Sequence, residues 1–92
     1  PEEILASHVW SAVLERWLSG DMKQAEKIAR DGHKRNPHVA PYLTGKKKPP
    51  KTLPDYFSPG DANEAVGCVH LLGKAWRNHP EAVAWLKELA LK

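Results

Sequence analysis

Cysteine is nearly missing from this chain: among 92 residues, Cys68 carries the single thiol. One thiol closes no internal disulfide, and without a second cysteine the paired-cysteine zinc sites have no ligands. A secreted scaffold held by bridges therefore has no basis in the sequence, and a reducing, cytoplasmic setting is expected. No apolar run approaches the roughly 20 residues that cross a bilayer, and the start lacks a signal-peptide pattern, so no membrane association is expected. Gly-rich phosphate loops, nucleophile elbows and metalloprotease helices are absent too. No stretch alternates apolar and polar residues in the way a half-buried strand requires.

What is present is core material and proline. A chain with 41% hydrophobic residues and four Trp can build an interior, and at this length folding hides roughly 60 to 65% of the surface an unfolded chain exposes. One domain is the natural reading. The first residue is Pro1 and helical patterns reach both ends, which predicts a segment of a longer protein whose remainder packs against it. The net charge of +3 is local. Lys46, Lys47, Lys48 and Lys51 take four of the 14 Lys and Arg, leaving ten against 11 Asp and Glu. The basic character therefore belongs to one loop and not to a general surface.

The clearest structural signal is the stretch 20–37. Gly20 can take the positive φ that ends one helix, and the Asp21 carboxylate can cap the next. Met22, Ala25, Ile28, Ala29 and Gly32 then recur at helical spacing, while Lys23, Glu26, Lys27, Arg30 and Lys34 face water. Ala and Gly on the inward stripe allow close approach of a preceding helix. Pro37 stops the run at Arg35 or Asn36. That preceding helix spans 2–19, with Glu2 and Glu3 at its positive end and a stripe of Leu5, Val9, Trp10, Val13, Leu14, Trp17 and Leu18.

From 37 to 60 six prolines deny the backbone a long helix or a central strand. Two short helical turns are expected there, one begun by Pro41 through Tyr42 and Leu43 to Gly45, the other begun by Pro54 through Tyr56 and Phe57. Both ends of the crossover are expected to pack on the helices through Val39, Tyr42, Leu43, Leu53, Tyr56 and Phe57, leaving 45–51 as an exposed tip. Asp61 and Glu64, three apart, form a capping box that opens a third helix with Ala65, Val66, Val69, Leu72, Ala75 and Trp76 inward. Asn78 and His79 end it, and Pro80 begins a fourth carrying Ala82, Val83, Trp85, Leu86 and Leu89. The predicted fold is all-α: two antiparallel helical hairpins, 2–36 and 61–92, joined by a Pro-rich irregular crossover at 37–60.

Gly20, Ala25, Ala29, Gly32 and Pro37 give the stretch 6–39 a pattern that resembles one degenerate tetratricopeptide repeat. Val9 stands where that family often has Trp, with Trp10 one place late. A second resemblance spans about half the chain. Asn36-Pro37-His38-Val39, Pro41-Tyr42-Leu43, Leu53-Pro54-Asp55-Tyr56, Gly60-Asp61, Glu64-Ala65, Trp76, Pro80 and Trp85-Leu86 look like a segment of the suppression-of-tumorigenicity-seven family and of uncharacterised bacterial repeat proteins. The resemblances imply a helical, repeat-like, non-catalytic protein that docks a protein or peptide partner.

The residues that could carry chemistry are few. His8, His33, His38, His70, His79 and Cys68 lack the i, i+4 spacing of helical metal ligands, so no metal and no other cofactor is expected. Cys68 lies among Val66, Val69, Leu71 and Leu72, where a thiol is a small hydrophobe and not a nucleophile. Asp55 and His38 can form a polar pair across the crossover, with a loop-fixing role before a catalytic one. The chain is read as no enzyme. Candidate partner contacts are Ser11, Glu15, Lys23, Lys27 and Arg30 on the outward sides of the first two helices, with Lys46, Lys47, Lys48 and Lys51 at the tip. The alternative is weak, sequence-independent nucleic-acid binding by that lysine loop, with Lys34 and Arg35 beside it. No aromatic sits among those lysines to stack a base.

Overall fold

The computed structural model describes residues 5–91. Among them the chain is all-helical: α1 spans Ala6–Leu18, α2 Met22–Arg35, α3 Val39–Leu43, α4 Ala62–Arg77 and α5 Pro80–Glu88. Glu2 and Glu3 lie outside the described residues.

The turn between α1 and α2 forms from the residues that encode it. Gly20 takes φ +88°, and the Gln24 amide donates to the Asp21 carboxylate at 3.2 Å. The two helices run antiparallel, because Gly32 near the end of α2 meets Val9 and Trp10 near the start of α1. A Cβ at Gly32 would stand 2.7 Å from Val9 Cγ1, closer than two carbons can come, so glycine is required by the approach itself. Ala25 and Ala29 are fully buried on the same stripe. Leu18 and Met22, expected inward, are about half exposed. They sit at the turn, about 18 Å along α1 from Ala6 by helical rise, where no other helix covers them.

The core centres on two tryptophans. Trp10 and Trp76 are buried with ring centroids 6.4 Å apart and planes at 62°, an edge-to-face pair. Val13 and Leu14 of α1, Ala29 of α2, Val39 and Leu43 of α3, Val69 of α4 and Leu86 of α5 share this one cluster. Thus α4 packs on α1 and α3 more extensively than on α5. Ala75, expected inward, is exposed, and Cys68 takes an inward place instead.

The crossover divides into two unlike parts. Its first part folds into α3, with Val39, Ala40 and Leu43 buried and Gly45 at φ +80° ending the helix. Its second part forms no helical turn at Pro54, and Leu53, Tyr56 and Phe57 are 61%, 78% and 48% exposed. The expectation that they pack inward is therefore corrected. The side of α4 they run along presents Asn63 and His70, seven apart, which bond backbone carbonyls at Tyr56 (3.2 Å) and Pro50 (3.1 Å). Polar tethers hold this segment, and only Phe57, about half covered, reaches an apolar cleft, beside Leu5 and Leu71.

Candidate functional site

Glu64 does more than close a capping box. The Asp61 carboxylate accepts from the Glu64 amide at 2.8 Å, as the motif requires. The return bond to Asp61 is replaced: Glu64 Oε1 accepts from Gly60 N and from Asn36 Nδ2, both at 2.9 Å, and Oε2 accepts from Ala6 N at 3.1 Å. Leu5, at the cap of α1, offers no side-chain acceptor, so a carboxylate 58 residues away satisfies the first amide of that helix. Asn36 completes the knot by donating to the Asp61 carbonyl at 2.9 Å and accepting from His38 N at 3.0 Å. Both side chains are buried. The knot joins the start of α1, the end of α2 and the start of α4, and all of its bonds but the one between the Asn36 and Glu64 side chains fix backbone.

Burial, and secondarily the charge of Glu64, pushes the Cys68 thiol up to about 12, so it stays protonated at neutral pH. Asp55 and His38 form no hydrogen bond among the described residues. His38 instead acts on Asp61, whose carboxyl is held below its ordinary value mainly by the amides of Glu64 and Ser58, with His38 a minor cause. Among the described residues no group of three His, Cys, Asp or Glu could hold a metal ion. No described helix is long and apolar enough to cross a membrane.

Every partner-contact residue singled out from the sequence is exposed: Ser11, Glu15, Lys23, Lys27 and Arg30 on the first two helices, and Lys46, Lys47, Lys48 and Lys51 on the loop. The fold ties none of the first five to another of them by a side-chain bond. Arg30 is engaged by Glu26 at 2.9 Å, the one ion pair among the described residues. Lys47 is fixed through its amide, which donates to the Pro41 carbonyl at 3.0 Å, leaving its ammonium free.

Two features were not anticipated. Three open clefts run side by side where α2, α3, α4 and α5 meet. One of about 400 Å³ has Ala40, Leu86 and Leu91 as walls and Lys46 and Lys87 at its rim. A second, of about 580 Å³, is walled by Leu43, Val69 and Val83 and rimmed by Arg77 and Lys87. A third, of about 280 Å³, continues from the first past His33 and Leu91 to Arg30 and Lys34. His33 is the other surprise. It is 8% exposed, its Nδ1 has no hydrogen-bond partner among the described residues, and desolvation lowers its pKa from the ordinary 6.5. No spacing in the sequence links Lys34, Lys46, Arg77 and Lys87, which come from four separate segments.

No family model, curated protein or solved structure matches the chain.

Proposed function

We propose that the chain is a non-enzymatic protein-interaction or scaffold module, its first two helices arranged like a degenerate tetratricopeptide repeat and its later helices like a second hairpin stacked beside it. The observation that carries this reading is the exposure of large apolar side chains in a fold that otherwise buries them well. Leu53, Tyr56 and Phe57 on the loop and Leu71 on α4 stand in water, although Trp10 and Trp76 are almost completely enclosed. Phe57 and Leu71 flank one small cleft of about 230 Å³ with Leu5 and Gly67. Neighbouring apolar groups left uncovered mark a contact surface for a partner or for another part of a longer chain. Ser11, Glu15, Lys23, Lys27 and Arg30 offer further polar contacts.

The test is affinity capture with the chain as bait beside a Tyr56→Ser, Leu71→Lys double variant. Both positions are exposed, so circular dichroism should be unchanged. A set of proteins retained by the parent and lost by the variant supports the reading. Equal retention by both removes the apolar face as the contact surface.

A second reading is nucleic-acid binding through Lys46, Lys47, Lys48 and Lys51. Its support is that all four are exposed and, among the described residues, none is ion-paired. Counterion release would make such binding weaken steeply with salt. A fluorescence titration at low ionic strength that finds no salt-dependent association with DNA or RNA disposes of it.

A further inference from the structure

We infer that the groove formed by α2, α3, α4 and α5 is a docking site for an acidic peptide segment that carries apolar side chains, an inference that rests on the interaction-module reading. The clefts are continuous in their lining. The first and second share Thr44, Gly45 and Lys87; the first and third share His33, Ala90 and Leu91. Each of the two larger clefts is of the size that takes a few side chains of a ligand.

Charge decides the occupant. Among the described residues, the charged ones lining the three clefts are Arg30, Lys34, Lys46, Arg77 and Lys87, with no Asp or Glu among them. Glu26 neutralises Arg30; the other four have no ion-pair partner among the described residues. The chain is otherwise balanced in charge, so this segregation is a property of the edge. On α5 the carboxylates Glu81 and Glu88 are seven apart and share a side roughly a third of a turn from Lys87. Of the charged residues of α5, Lys87 lines two of the clefts, whereas Glu81 and Glu88 line none and stand just beyond Ala84 at the margin of the second.

The walls decide the rest. Between the cations lie Leu43, Val69, Val83, Leu86 and Leu91, which suit aliphatic anchors; Tyr42 is the one aromatic residue among the described lining, and a single ring cannot stack successive bases. A peptide of mixed glutamate and leucine meets both requirements, apolar groups in the clefts and carboxylates at the rim. His33 adds a polar floor. It is more than nine-tenths buried, its Nδ1 has no partner among the described residues, and it lines the junction of two of the clefts.

Fluorescence anisotropy on the whole chain tests this with four fluorescein-labelled probes: a short glutamate and leucine peptide, its lysine and leucine counterpart, its glutamate and serine counterpart, and a single-stranded oligonucleotide of similar charge. The glutamate and leucine peptide should bind most tightly, and replacing either its charge or its leucines should weaken it. The Arg77→Glu, Lys87→Glu double variant should weaken that peptide about tenfold or more, while Arg16→Glu, a charge reversal remote from the groove, should leave affinity within about twofold. All three altered residues are exposed, so the variants should melt near the parent temperature. Equal binding of both charged peptides, tighter binding of the oligonucleotide, or an unaffected double variant would overturn the inference. If the peptide fails while proteins captured through Tyr56 and Leu71 are still retained, the groove assignment falls and the interaction-module reading stands.

Discussion

The two halves of the crossover are made of similar residues and behave in opposite ways. Val39, Ala40 and Leu43 enter the interior within α3, whereas Leu53, Tyr56 and Phe57 stay in water. Hydrophobicity does not separate them. What does is the surface each half meets: α3 lies against Val69 and Trp76 in the common core, while the second half follows Asn63 and His70 and is held by their side chains. An apolar residue is buried only where an apolar face is free to receive it, and a chain tethered by its carbonyls can leave its side chains outside.

The largest effect that would sharpen this contrast comes from Glu64. In Glu64→Ala the amides of Ala6 and Gly60 lose their acceptor inside the fold and the Asn36 side chain keeps only the Asp61 carbonyl, and urea unfolding should report a loss of about 3 kcal/mol or more. A loss no larger than a surface substitution would show that the knot is incidental. Next is Gly32→Ala, whose added carbon collides with Val9; overpacking should cost about 1 to 3 kcal/mol in the same measurement.

A smaller effect is expected from pH. Burial favours neutral His33 in the folded chain, so the unfolded chain binds more protons below its ordinary 6.5. This contribution is intact above that pH and is lost as pH falls from 6.5 through the lowered folded value. Thermal melts should record the fall, and His33→Gln should flatten it over that window. Smallest of all is Tyr56→Ser, which removes a side chain that is 78% exposed and should change stability by no more than about 0.5 kcal/mol. A large loss there would erase the distinction between the two halves of the crossover.

The parts of the fold that could be read from the sequence are those written locally. Gly20 and Asp21 make the turn, Pro37 stops α2 after Arg35, Asp61 caps α4, and Pro80 opens α5. Each depends on backbone geometry within a few residues. Glu64 shows where such reading ends: its spacing from Asp61 announces a box, but its real partners belong to residues 6, 36 and 60. Long-range packing redirected the side chain once its own cap was made by Asp61. The same limit hid the groove. The lysine run at 46–48 is visible as a cluster, whereas Lys34, Arg77 and Lys87 become neighbours of the clefts only after α2, α4 and α5 have docked. Leu53 and Tyr56 misled for the converse reason, since their composition suggested burial and the fold leaves both in water, while Phe57 is only half covered by the shallow cleft beside Leu5 and Leu71.

The central claim is that α1, α2 and α4 are locked into one unit by the Glu64 knot and the Gly32 contact, while the segment 45–58 lies open beside it. Amide hydrogen exchange on the intact chain tests it most directly. Expected is slow exchange at Trp10, Ala29 and Val69, at one common opening free energy, with fast exchange at Leu53, Tyr56 and Phe57. Exchange of α2 independently of α1 and α4, or protection of Leu53, Tyr56 and Phe57 equal to that of the core, would contradict it.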